Sequence, residues 1–122
     1  GSEISFNQVL YNLNRRGIEY DLLPWQKKHN VLTMAYSPLD QAKLINNSSL
    51  TSISNRFHLT TSQIALSWLL NDGYVFVIPK SSNIDHMKEN IIARDAKIDN
   101  NILLEIEKFF PKPKRKTDLE VI

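Results

Sequence analysis

The 122-residue chain contains no cysteine. That excludes disulfides, thiol nucleophiles and thiolate metal sites together, and it suits a reducing compartment. An excess of one charge is also missing. Fifteen basic residues against thirteen acidic ones leave a formal net charge of +2, too little to suggest a nucleic-acid protein. No apolar run approaches the ~20 residues that span a bilayer, and the beginning carries no signal-peptide pattern. The expectation is one soluble, cytoplasmic domain that binds neither nucleic acid nor membrane. Gly1-Ser2 looks like a cloning scar, which places the natural beginning near Glu3.

What is present is organised around Tyr74–Asn90, YVFVIPKSSNIDHMKEN. Tyr74–Ile78 is a short apolar run rich in β-branched and aromatic residues, the pattern of a buried strand. Pro79 ends it, a polar turn Lys80-Ser81-Ser82-Asn83 follows, and a helix opens near Asp85. Strand, cationic turn and helix start together make a phosphate-binding arrangement, because free N–H groups and the positive end of the helix dipole face the anion. The same letters also describe an ordinary strand-to-helix connection with a solvated lysine.

Before it, Ile4–Leu10 reads as a strand with two amides, Asn7 and Gln8, in apolar surroundings. They must find partners, either backbone groups at the strand end or a ligand. Tyr11–Gly17 reads as a loop. Asp21 is placed to cap a helix with Pro24 in its first turn, running to about His29 and ended by Asn30. Val31–Ser37 is a second buried strand, stopped by Pro38, and Tyr36 at its end either packs or offers a flat face to a ligand. Asp40–Ser49 reads as a polar loop and Leu50–Phe57 as a short amphipathic helix. Thr60 or Thr61 caps the next helix, with Gln63 at capping-box spacing and Ile64, Ala65, Trp68 and Leu69 as its buried stripe.

Asp99 is the natural cap of a last helix whose apolar face is Ile102, Leu103, Ile106 and Phe109/Phe110, with Pro111 as its stop. The tail 112–122 holds Lys112, Lys114, Arg115 and Lys116 but no interleaved aromatics, so it reads as a solvated tail in preference to a nucleic-acid patch. Strands alternating with helices, β-α-β-αα-β-α-α, predict an α/β unit with parallel strands and right-handed crossovers. In such folds ligands bind at the carboxyl edge of the strands. Asn7/Gln8, Tyr36/Ser37 and Lys80/Ser81 are the groups expected there.

Taken in order, NQVLYNL, RRGIEYDLLPW, AYSPL, TTSQIALSWLL, IPKSSNIDHMKEN and FFPKPKRKT resemble the aldo-keto reductases over about residues 7–120. The resemblance implies a partial (β/α)8 TIM barrel, residues 3–111 supplying its sixth to eighth β/α units, closest to bacterial members. It implies NADP(H) as cofactor. Gln8 matches the residue that holds the nicotinamide carboxamide, and Tyr36 the ring that stacks on the nicotinamide. Ser37 and Leu39 match the turn along the pyrophosphate. Lys80, Ser81 and Asn83 match the grip on the 2′-phosphate, and Glu89 and Asn90 the pair on adenine.

Two departures stand out. Asp40 replaces the usual Gly and is expected to place a carboxylate near the pyrophosphate. His86 replaces the Arg of many members, giving up a permanent forked charge against adenine and 2′-phosphate.

The family's catalytic Asp, Tyr, Lys and His come from its first four strands and have no counterpart in these 122 residues. His29, His58 and His86 do not stand in for them. The resemblance thus implies carbonyl reduction on a small substrate by the intact enzyme, and no activity from this chain alone. Three barrel strands leave an inward face uncovered and edges unpaired. Self-association, pairing with the missing barrel half, or repacking of helices over the open face is expected. The alternative function is a non-catalytic partial-barrel module that does the same.

Overall fold

Pro38 and a change from alternating apolar to polar residues fix where the second strand stops. The computed structural model, which describes residues 5–77 and 98–120, ends it there. The strands are β1 (Ser5–Leu10), β2 (Val31–Tyr36) and β3 (Val75–Val77). Among the described residues four α-helices accompany them: α1 (Leu22–Lys28), α2 (Ser48–Phe57), α3 (Thr61–Leu70) and α4 (Asn100–Phe109). A 3-10 turn, Gly17–Glu19, begins at the last residue of the expected loop Tyr11–Gly17. The sheet order is β1-β2-β3 and both pairings are parallel. Parallel neighbours require long crossovers, supplied here by α1 and by the α2–α3 pair.

Local chemistry sets the helix limits. The Thr60 hydroxyl accepts from the Gln63 N–H while the Gln63 side chain accepts from the Thr60 N–H, a complete capping box on α3. Asp99 accepts from the Ile102 N–H at 3.0 Å and caps α4. α2 begins earlier than Leu50, because Asn47 accepts from the Leu50 N–H at 2.9 Å and turns Ser48 and Ser49 into helix. Asp21 holds the cap position of α1 without a side-chain cap bond; its carboxylate lies 3.7 Å from Lys116 Nζ instead.

Residue pairing across the sheet sorts the side chains by face. One face carries Asn7, Thr33 and Val75, then Val9, Ala35 and Val77. Helices cover it: Val9, Thr33, Ala35 and Val75 are buried with Leu23 of α1 and Leu69 of α3. A second cluster gathers Leu50 and Ile53 of α2, Ile64 and Ala65 of α3 and Ile102, Ile106 and Phe110 around Leu13 and Leu44. Trp68 packs against both clusters. Phe109, expected on the apolar face of α4, is half exposed, while Phe110 takes the buried place.

The other sheet face carries Phe6 and Leu32, then Gln8, Met34 and Phe76, then Leu10 and Tyr36. It is largely uncovered: Phe6 is 59% and Phe76 43% exposed, Gln8 is exposed, and Leu32, Met34 and Tyr36 are half-buried. Leu10 is the exception. It is buried against a cavity of about 380 Å³ shared with Ile18, Leu22 and Trp25 and bordered by residues 116–120.

The tail is almost wholly exposed, and it touches the rest of the protein at a few points. Lys116 meets Asp21, Glu120 lies 3.4 Å from Arg15, and a Cβ added at Gly17 would overlap Thr117 Oγ1.

Candidate functional site

Gln8 and Asn7 lie in the middle of β1, with Val9 and Leu10 still to follow, not at the strand end as expected. Being adjacent, they face opposite ways. Asn7 turns to the helix side and donates to Gln26 Oε1; the fully buried Gln26 in turn donates to Thr33 Oγ1. That chain of amide and hydroxyl fastens α1 to β1 and β2, and it gives Asn7 a structural partner. Gln8 is left on the uncovered face, opposite Met34. Tyr36, the last residue of β2, lies on the same face two positions further along the neighbouring strand. Asn7 thus finds its partner in a side chain of α1 and not in the backbone groups expected.

Past Tyr36 the backbone turns sharply. Ser37 has φ 50°, and Asp40, Gln41 and Ala42 follow with φ 52°, 54° and 73°. A left-handed conformation costs an ordinary L-residue about 1–2 kcal/mol, so three in succession must be held from outside. The Asp40 N–H donates to the Ser37 carbonyl at 2.9 Å, the Lys43 N–H to the Asp40 carbonyl at 3.1 Å and the Leu44 N–H to the Leu39 carbonyl at 3.2 Å. Leu39 and the fully buried Leu44 anchor the turn in the helical core. Among the described residues no acceptor engages the N–H of Gln41 or Ala42.

The segment after β1 supplies the remaining support. Asn12 is fully buried; its Nδ2 donates to the Ser37 carbonyl at 2.8 Å and its Oδ1 accepts from the Asn14 N–H at 2.9 Å. Asn14 Nδ2 and Arg15 Nε reach the Asp40 carboxylate at 3.1 and 3.3 Å. Asp40 is only 2% exposed. The carboxylate expected to confront a pyrophosphate is thus turned inward onto its own partners. The hydrogen bond and charge of Asp40, and then Glu120, raise the pKa of Arg15 despite some desolvation. Asn12, Asn14 and Arg15 were not legible as site residues, since their partners stand 25 or 26 positions away.

Arg16 turns the other way, into the protein. It binds Glu19 through Nε at 2.6 Å and a second nitrogen at 2.8 Å, Glu107 at 3.1 Å and the Phe110 carbonyl, and it lies 4.9 Å over the Trp68 ring. Burial alone lowers its pKa, but the bonds and charges of Glu19 and Glu107 more than offset that, and the net shift is upward.

Tyr11 donates to Glu19 at 2.9 Å. Burial first, then the charge and hydrogen bond of Glu19, push its phenol above the ordinary value of 10.0. The folded protein therefore holds this proton more tightly than the unfolded chain. The stabilisation is complete below about pH 10 and is lost as pH rises above it. Urea unfolding at pH 8 and pH 11 should show a steeper alkaline loss for the native chain than for Tyr11→Phe; equal losses would refute the assignment.

The expected site residues Lys80, Ser81, Asn83, His86, Glu89 and Asn90, and the helix expected near Asp85, lie outside the described residues. His29 and His58 sit at helix ends: the His29 ring stacks on Trp25 at 4.2 Å, and His58 closes α2 with φ 57°. Among the described residues no three His, Cys, Asp or Glu side chains group as metal ligands, and no helix is long and apolar enough to cross a membrane.

Comparison with known proteins matches residues 40–109 to the pattern of the Aldo/keto reductase family. Methylglyoxal reductase YeaE of Escherichia coli is 36% identical, aligned with all of this chain and 45% of its own length. A solved aldo/keto reductase from Klebsiella pneumoniae, in complex with NADP and acetate, superposes with a TM-score of 0.89 at 37% identity. That match covers 97% of this chain and 44% of that one. The thermostable aldo-keto reductase Tm1743, in complex with the inhibitor epalrestat, gives 0.74 at 33% identity, over 84% and 39%. The chain spans less than half the length of each of these relatives.

Proposed function

This chain belongs to the aldo/keto reductase family, and from that premise we propose that it forms the NADP(H)-binding part of the barrel, its sixth to eighth β/α units. The observation that carries the reading is Gln8 and Tyr36 on one uncovered face of parallel strands, Tyr36 at the carboxyl end of β2 and Gln8 two residues short of that of β1, the edge where such folds bind ligands. Gln8 takes the nicotinamide carboxamide and Tyr36 stacks on the nicotinamide ring. Ser37 and Leu39 begin the turn along the pyrophosphate, and the unengaged Gln41 and Ala42 N–H groups suit an anion beside them. Lys80, Ser81 and Asn83 hold the 2′-phosphate, and His86, Glu89 and Asn90 the adenine. Three relatives fit this reading: the Klebsiella protein carries NADP, a second Klebsiella structure carries NADPH, and YeaE bears the name of a methylglyoxal reductase.

Bound NADPH supplies the hydride for reduction of a small carbonyl compound. Proton delivery belongs to residues of a complete barrel, in the cytoplasm, and these 122 residues alone reduce nothing. Titration with NADPH, read by nicotinamide fluorescence, tests the binding. Micromolar affinity that disappears in Lys80→Ala and weakens in Gln8→Ala is expected. An unchanged signal at millimolar cofactor would refute the reading. It would favour instead a partial-barrel module that associates with a second copy or with the rest of a barrel, for which the exposed Phe6 and Phe76 speak.

A further inference from the structure

Asp40 poses a problem that Arg15 solves. A left-handed backbone at φ 52° suits glycine, and an aspartate there brings a negative charge to the turn that the proposed function lays along a pyrophosphate. Left free, that carboxylate would repel the ligand. It is not free: Arg15 Nε and Asn14 Nδ2 take its two oxygens at 3.3 and 3.1 Å, and its side chain is 3% exposed. Arg15 itself remains 28% exposed, with Glu120 at 3.4 Å on another nitrogen. Asn12 fixes the start of the same turn through the Ser37 carbonyl.

We propose that Arg15 is a positioning residue of the dinucleotide site: it neutralises Asp40 and holds the 37–42 turn in the left-handed form that accepts a pyrophosphate. It acts through Asp40 and touches no ligand. This inference rests on the NADP(H) reading, and it adds a residue from the segment after β1 to a site otherwise built from strand ends and the turn after β2. An aspartate at position 40 is tolerated because an arginine stands at position 15.

The test is a double-mutant cycle on NADPH affinity with Arg15→Met, Asp40→Asn and the pair, each checked for folding by circular dichroism. Arg15→Gln serves as a second variant. Asparagine keeps the shape, tolerates the left-handed conformation and removes the charge. Arg15→Met should weaken NADPH by about tenfold, the effect of one unpaired charge at short range in a partly solvated site. In the Asp40→Asn background the same change should matter less than about twofold. Adenosine 2′-phosphate, which lacks the pyrophosphate, should bind native and Arg15→Met chains alike, a difference that a general loss of structure would not produce.

Equal weakening in both backgrounds would mean that Arg15 contacts the ligand directly, and the proposal falls. Equal loss of both ligands would mean a structural role only, and it falls again. Adenosine 2′-phosphate binding without NADPH binding by the native chain would overturn the turn's role while leaving the adenosine part of the reading. Binding of neither by the native chain would overturn the cofactor reading and this proposal together.

Discussion

Arg16→Met should lower the free energy of unfolding by about 3–5 kcal/mol, the cost of removing one partner from a buried charged network. The side chain is 5% exposed and joins three elements: the 3-10 turn through Glu19, α4 through Glu107 and the Phe110 carbonyl at its end, and α3 through Trp68. Removing it leaves two carboxylates and a carbonyl without their shared donor. Lysine is a poor substitute, because a single ammonium does not reproduce the two-pronged contact with Glu19. Urea denaturation followed by circular dichroism measures the difference. Lys116→Met provides the contrast, since its pair with Asp21 is exposed on both sides and worth about 1 kcal/mol at most. If the two variants unfold at the same urea concentration, the hub described around Arg16 does not exist as an energetic unit.

The second large effect is on association. Phe6 and Phe76 stand on the uncovered face at 59% and 43% exposure, with Leu32 and Met34 between them. Burying a phenylalanine side chain completely yields about 1.5–3 kcal/mol, so a second copy laid face to face recovers part of that from each ring. The purified chain is expected to sediment at a multiple of 14.1 kDa. Phe6→Asp combined with Phe76→Asp should return it to the mass of one chain, by placing like charges on both sides of the contact. A native chain that stays at the mass of one polypeptide at high micromolar concentration refutes association through this face.

The fold was legible because its signals are local. The apolar strand closed by Pro38, the Thr60–Gln63 capping box and the Asp99 cap each occupy a few residues, and the structure repeats them. The parallel order followed from alternation alone. The site was legible only in part. Family likeness pointed to Gln8 and Tyr36, and the pleat puts them on one face, but it did not say that Asn7 beside Gln8 turns away to Gln26. The Asp40–Ser49 stretch read as polar loop because its letters are polar. Its conformation depends on Asn12, Asn14 and Arg15, residues far along the chain whose partners no spacing rule reveals. Arg15 and Arg16 make the same point: neighbours with the same charge, one on the turn after β2 through Asp40 and one in the core. Only the direction of each side chain separates them.

Strand order equal to chain order has a consequence for how the molecule is made. As the polypeptide emerges during synthesis, β1 and β2 can zip together before β3 has left the ribosome, and each later strand joins at a free margin. Nothing has to be wedged between partners already joined. The cost of growing in this way is that the sheet always presents one unfinished border until the next strand arrives.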